Sequence, residues 1–186
     1  MEGLKTQKLR QRRHIKVMKA TLKNLILAAL FAAMAVLLSG FSIPVGPTRC
    51  FPFQHAINAI SGVLLGPWWA AGAALTASII RNALGTGTLF AFPGSIPGAL
   101  VVGITARLLK NKRYYAALTE PLGTGIIGAI ISVYILAPTI GKETALWLIM
   151  SAFLLSSVPG SFLGFALLLA FSKAGWFQKN IGRSNI

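Results

Sequence analysis

Polar side chains interrupt an apolar chain in the stretch "PTRCFPFQHAIN", residues 47–58. An arginine, a glutamine, a histidine and an asparagine there carry hydrogen-bonding groups that are costly inside a lipid bilayer unless they find partners. Gln54 and Asn58 lie four residues apart, and His55 and Asn58 three apart, so on a helix these side chains form one stripe. The stripe is a candidate surface for binding a small molecule.

A second unusual segment, "RNALGTGTLFAFPGS", begins at Arg81 and is interrupted by glycine and proline. Such a segment cannot be regular helix, and irregular backbone near a membrane is tolerated where it is buried in protein or lines a wet cavity. Phenylalanines in both stretches supply aromatic faces, which together with a few donors and acceptors are typical of a pocket for a small, flat, mostly neutral heterocycle. The candidate substrate-binding residues are Arg49, Phe51, Phe53, Gln54, His55, Asn58, Arg81, Asn82, Thr86, Thr88 and Phe90.

Each of these residues also has a purely structural interpretation. Polar side chains in membrane helices often hydrogen-bond a neighbouring helix, an arginine can extend to lipid headgroups or loop carbonyls, and a phenylalanine can pack against lipid. The convergence of Arg49 and Arg81 on one face favours binding, because the only acid predicted there, Glu143, has Lys142 beside it. At least one guanidinium should therefore bind carbonyls, lipid or a ligand.

The composition indicates a membrane protein whose helices must position these residues. The chain has 186 residues, of which 55% are hydrophobic and 11% charged, with a mean hydropathy of +0.71. Its apolar runs are continuous rather than alternating, which excludes a membrane barrel. We expect an all-α integral membrane protein with six transmembrane helices, comprising a basic arm (1–21), a membrane domain (22–172) and a basic tail (173–186).

The number of helices depends on residues 53–84, which form either one long kinked helix or a hairpin that turns at Gly66 and Pro67. With the hairpin, both termini are cytoplasmic. All but Arg49, Arg81 and Lys142 of the 18 lysines and arginines then lie inside, as the positive-inside rule requires. A single helix would move the basic residues of 107–113 and the C-terminal tail outside. The charges therefore predict the hairpin.

Several other functions are disfavoured by what the sequence contains. The net charge of +15 sits beside apolar segments, where it sets orientation and attracts anionic lipid, so we expect no nucleic-acid partner. A single cysteine, Cys50, cannot form a thiolate cluster, and the acids Glu2, Glu120 and Glu143 form no evident catalytic pair. We therefore expect no catalytic residue, no metal and no cofactor, and expect His55 to lack an acidic partner other than Glu143.

Two further features concern helix packing. In "LAALFAAMA" on helix one, Ala28 and Ala32, like Ala29 and Ala33, lie four residues apart, which permits close approach of another helix. From spacing alone, internal packing is the better interpretation of these alanines. Pro159 should kink helix six, with Ser156 or Ser157 satisfying the carbonyls that it frees.

The stretches "GPTRCFPFQHAIN", "LLGPWWA", "IIRNALGTGTLFAFPGSIPGAL" and "EPLGTGIIGAIIS" resemble the ThiW family, from about Leu22 to Phe171. This family comprises S components, the substrate-binding subunits of energy-coupling-factor (ECF) vitamin transporters, and is associated with uptake of the thiazole precursor of thiamine. The resemblance implies a multi-pass protein of the prokaryotic plasma membrane that captures its ligand on the outer face. It also implies partners, a transmembrane coupling protein and two cytoplasmic ATPases that drive release.

By the same resemblance, the alanines of helix one become candidates for docking onto the coupling protein: Ala28, Ala29, Ala32 and Ala33. The implied function is uptake of hydroxyethylthiazole, a small-molecule vitamin precursor. Two alternatives remain open from sequence: an S component for another vitamin such as thiamine or riboflavin, and a membrane enzyme or sensor built on the same helices.

Overall fold

The computed structural model describes residues 2–45 and 48–174, with side chains described except at positions 2–6, 8, 44, 45, 48, 49 and 111. Helix α1 spans Glu2–Leu38, so the basic arm and the first apolar segment belong to one helix. A short antiparallel hairpin follows, in which β1 (Ile43–Val45) pairs with β2 (Thr48–Cys50). The sequence predicts an all-α protein. This β-hairpin is the one departure from that prediction among the described residues.

Helices α2 (Pro52–Leu65) and α3 (Pro67–Ala83) are separated by Gly66, whose φ of 81° is readily adopted only by glycine. Proline then starts α3, where its missing N–H costs nothing. The guanidinium carbon of Arg81, near the end of α3, lies 4.5 Å from the ring centre of Phe51, just before α2. The two helices are therefore antiparallel, and the structure contains the hairpin that the charges predict.

Helix α4 (Ile96–Leu109) follows a loop that includes one 3-10 turn, Leu89–Ala91. It packs closely on the α2–α3 hairpin because glycines lie at the contacts. A Cβ on Gly62 would come within 2.7 Å of Val102 Cγ1, and one on Gly103 would collide with the backbone of Pro67. The turn of the hairpin therefore rests on the middle of α4.

The next helical run, Lys112–Thr139, is labelled α5 here. It is irregular, because the 3-10 segment Lys110–Thr119 is followed by two π-helical segments, Leu122–Gly128 and Ser132–Leu136. Glu120 lies between the 3-10 segment and Leu122–Gly128, and it is fully buried.

Helix α6 spans Leu146–Lys173 and contains Pro159. This proline has no N–H to donate to the carbonyl of Leu155. Cys50 supplies the missing donor, since its Sγ lies 2.9 Å from that carbonyl oxygen. The prediction that Ser156 or Ser157 would satisfy it is wrong for this carbonyl, because the hydroxyl of Ser156 bonds the carbonyl of Ala152 instead.

The distribution of side chains is that of a protein surrounded by lipid. Large apolar residues are exposed, Leu37 and Leu108 among them, whereas eight serines, Thr124 and Glu120 are buried. Within the described residues, four helices are long and apolar enough to cross a membrane. They are Leu9–Leu38, Leu89–Leu109, Lys112–Thr139 and Leu146–Lys173. The chain is therefore a multi-pass helical membrane protein.

Candidate functional site

Arg81 lies at the open end of the α2–α3 hairpin, against the Phe51 ring. It is 2% exposed, and one terminal nitrogen donates to the carbonyl of Thr86 at 3.3 Å. A cation over an aromatic face is stabilised by the ring quadrupole, most strongly where water is excluded. The contact fixes the guanidinium beside the start of α2, and among the described contacts no acid neutralises it.

The next polar group is on the first turns of α2, where His55 contacts Glu120 of α5. His55 Nδ1 lies 2.8 Å from Glu120 Oε1, and the Thr124 hydroxyl donates to the same oxygen at 2.7 Å. Glu120 is fully buried, and Gly98 of α4 makes room for it, because a Cβ there would collide with Oε1. Three helices thus enclose one carboxylate.

This pair corrects the expectation that His55 has no acidic partner besides Glu143. The loop residue Glu143 is exposed, and Glu120 takes the role. A histidine hydrogen-bonded to a carboxylate is also an arrangement that can move a proton. The isolation of His55 therefore no longer argues against an enzyme, and this contact alone does not distinguish an enzyme from a transporter.

Asn58 lies one turn further along α2 and bonds to Ser95 at the start of α4. Its Nδ2 donates to the carbonyl and hydroxyl oxygens of Ser95 at 3.3 and 3.1 Å. Both side chains are buried. Asn58 is predicted to bind a ligand as part of the polar stripe. In this structure its side-chain amide instead hydrogen-bonds a neighbouring helix, which is the structural role that polar residues in membrane helices often have.

The loop after α3 is held by its own polar residues. Asn82 Nδ2 donates to the carbonyls of Ser78 and Thr88 at 2.9 and 3.0 Å, and the Thr86 hydroxyl donates to the Arg81 carbonyl at 3.3 Å. The side chains of Thr86 and Thr88 are exposed. These residues shape the loop that covers Arg81.

The remaining predicted residues lie around the same hairpin. Phe53 packs edge-on against Phe41, with ring centres 6.2 Å apart, and Gln54 is buried on α2. Phe90 is half-buried in the loop turn. The side chain of Arg49 lies outside the described residues. The structure therefore brings Phe51, His55 and Arg81 together at one end of α2 and places the threonines at the loop surface.

The candidate residues predicted from the sequence do not include Glu120, nor its partner Thr124 and the Asn58 partner Ser95. A signal existed: Glu120 is the only acid between Glu2 and Glu143 in a strongly apolar chain. An ionisable residue inside a membrane domain is a functional candidate by default.

The alanines of α1 divide into two pairs. Ala28 and Ala32 are buried, 7% and 2% exposed, in a cluster with Ile57 and Ala73, whereas Ala29 and Ala33 are exposed. The buried pair packs inside the protein, as spacing alone suggested. Only the exposed pair remains available to contact another protein.

The fold and this enclosed polar cluster define a multi-pass membrane protein with a hydrogen-bonding interior. The sequence profile described as thiamine-precursor transporter protein (ThiW) matches residues 25–174. The chain therefore belongs to the ThiW family. No curated protein matches the chain. Membership in a family of transporters supports transport rather than catalysis as the function of the protein.

Proposed function

We propose that this protein is the substrate-binding membrane subunit of an ECF-type importer and takes up hydroxyethylthiazole. The observation that carries the proposal is the match of residues 25–174 to a family of thiamine-precursor transporters. The polar cluster at the start of α2 supports it, because Phe51 offers an aromatic face and Arg81 and Glu120 offer a donor and an acceptor. ATP hydrolysis is assigned to two separate cytoplasmic subunits, since the sequence carries no Walker A motif.

The neutral alcohol is the ligand that best suits this cluster. Its flat ring can stack on phenylalanine, its nitrogen accepts one hydrogen bond, and its hydroxyethyl arm both donates and accepts. A phosphate ester would satisfy Arg81 but would meet the buried carboxylate of Glu120 with like charge. Intact thiamine is the second candidate, because its cationic thiazolium ring would be attracted to the same carboxylate.

Titration of the purified protein tests the substrate. By isothermal calorimetry in detergent, the free alcohol should bind, and its phosphate ester should bind at least about tenfold more weakly, since one unfavourable charge contact costs on the order of 1.4 kcal/mol. Tighter binding of the ester would reverse the assignment of the ligand's charge. If neither compound binds while thiamine or riboflavin does, the substrate is wrong although the protein remains a vitamin transporter.

We also propose six membrane crossings with both termini in the cytoplasm of a prokaryotic cell. Single cysteines at positions 110 and 142, in a Cys50→Ser background, test this orientation, because both native lysines are exposed. A membrane-impermeant maleimide should label position 142 in intact cells and position 110 only after permeabilisation. Labelling of position 110 from outside would contradict the six-helix arrangement.

For the coupling protein, we propose a docking surface centred on Ala29 and Ala33. Leucine at either position should prevent close helix approach, so the variant should lose co-purification with the ATPase subunits while its ligand affinity stays near the wild-type value. Ala166→Leu is the matched control, because Ala166 is also exposed but lies on α6. If Ala166→Leu also broke the complex, or Ala29→Leu left it intact, this surface would not be the docking site.

A further inference from the structure

Three buried side-chain atoms in the described part of the chain have no hydrogen-bond partner: Arg81 Nε, Glu120 Oε2 and Ser157 Oγ. Their residues are at most 2% exposed. An unsatisfied buried polar group costs about 1–3 kcal/mol, more when it is charged, so folded proteins contain few of them. These atoms are therefore candidates to hydrogen-bond a water molecule or a ligand.

The residues that carry these atoms lie near the same short piece of chain, the first turn of α2. Arg81 lies over Phe51, and Glu120 is bonded to His55. Ser157 lies on α6 between two residues that touch this turn. The neighbouring Ser156 hydroxyl accepts a hydrogen bond from the Phe51 N–H at 3.2 Å. Gly160, three residues after Ser157, lies so close to α2 that a Cβ there would be 2.6 Å from the Cβ of His55.

We propose that Glu120 is a substrate-binding residue whose Oε2 accepts the hydrogen bond of a hydroxyl group on the ligand. The inference rests on the proposed function and extends it, because it assigns the group that recognises the alcohol. Arg81 Nε then faces an acceptor on the same ligand, such as an azole nitrogen. Ser157 can donate to or accept from either group.

The carboxylate is held ready for this role. Oε1 accepts from the Thr124 hydroxyl at 2.7 Å and contacts His55 Nδ1 at 2.8 Å, and the backbone of Gly98 packs directly against it. Both contacts with the protein are therefore made by Oε1. They hold Oε2 in place with its lone pairs available to accept a hydrogen bond. A preorganised acceptor binds a donor without the entropic cost of ordering a free side chain.

The same geometry predicts what a glutamine would do at this position. With the proton of His55 on Nδ1, the donors on His55 and Thr124 would keep the amide oxygen at the Oε1 position, so the amide NH2 would replace Oε2. Glu120→Gln therefore changes the ligand-facing group from an acceptor to a donor with almost no change in shape. It also removes the buried negative charge.

The test compares hydroxyethylthiazole with the ethyl analogue that lacks the hydroxyl, in wild type, Glu120→Gln and the matched control Glu143→Gln. Glu143 is exposed in the loop before α6, so the control makes the same chemical change outside the cluster. Wild type and the control should prefer the alcohol by about 10- to 100-fold, as expected for a hydrogen bond to a charged acceptor. Glu120→Gln should lose most of that preference. The quantity compared is the ratio of the affinities for the alcohol and the ethyl analogue, because a general loss of stability lowers both affinities together.

A measurement on wild type alone covers the case in which Glu120→Gln does not fold. The methyl ether of the alcohol accepts hydrogen bonds but cannot donate, so it should bind about as weakly as the ethyl analogue. Equal binding of ether and alcohol, or an unchanged preference in Glu120→Gln, would overturn the role of Glu120 while the proposed substrate stands. Failure of folded wild type to bind the alcohol at all would overturn both the proposed substrate and this assignment.

Discussion

The contact between His55 and Glu120 joins two helices that the chain separates by 65 residues, and the packing around it depends on this contact. In a bundle surrounded by hydrocarbon, a buried carboxylate without partners is far more costly than an apolar side chain. Its position therefore fixes which face of α5 points inward and which turn of α2 lies opposite. Thr124 contributes a second donor to the same oxygen.

Small residues make this enclosure possible. Gly98 allows the Glu120 carboxylate to pack against α4. Gly160 allows α6 to approach the backbone of α2, and Gly103 allows the turn at Pro67 to pack on α4. The hydrophobic effect gives little drive to bring helices together in lipid, so close packing and buried hydrogen bonds must hold them. The protein thus combines glycine contacts with a polar interior.

Much of the architecture could be predicted from the sequence because local signals point to it. Gly66 and Pro67 mark the turn of the hairpin, and the positive charges distinguish it from one long helix. The i, i+3 spacing on α2 places His55 and Asn58 on one face of the helix, and both side chains are buried. These signals depend on residues near each other in the chain, which is why spacing alone is sufficient to read them.

The partners could not be predicted, because they depend on long-range packing. Cys50 bonds a carbonyl that is 105 residues away, and Glu120 contacts His55, which lies 65 residues earlier in the chain. Ala28 and Ala29 are neighbours with the same spacing pattern, and only the packing of α1 shows which one is buried.

The central claim is that the bond between His55 and Glu120 holds α2 against α5. A double-mutant cycle with His55→Asn, Glu120→Gln and the double variant, measured by unfolding of the purified protein in detergent, tests it most directly. A bond of this kind predicts a coupling free energy of at least about 1 kcal/mol between the two positions. Effects that simply add, to within about 0.5 kcal/mol, would contradict the claim.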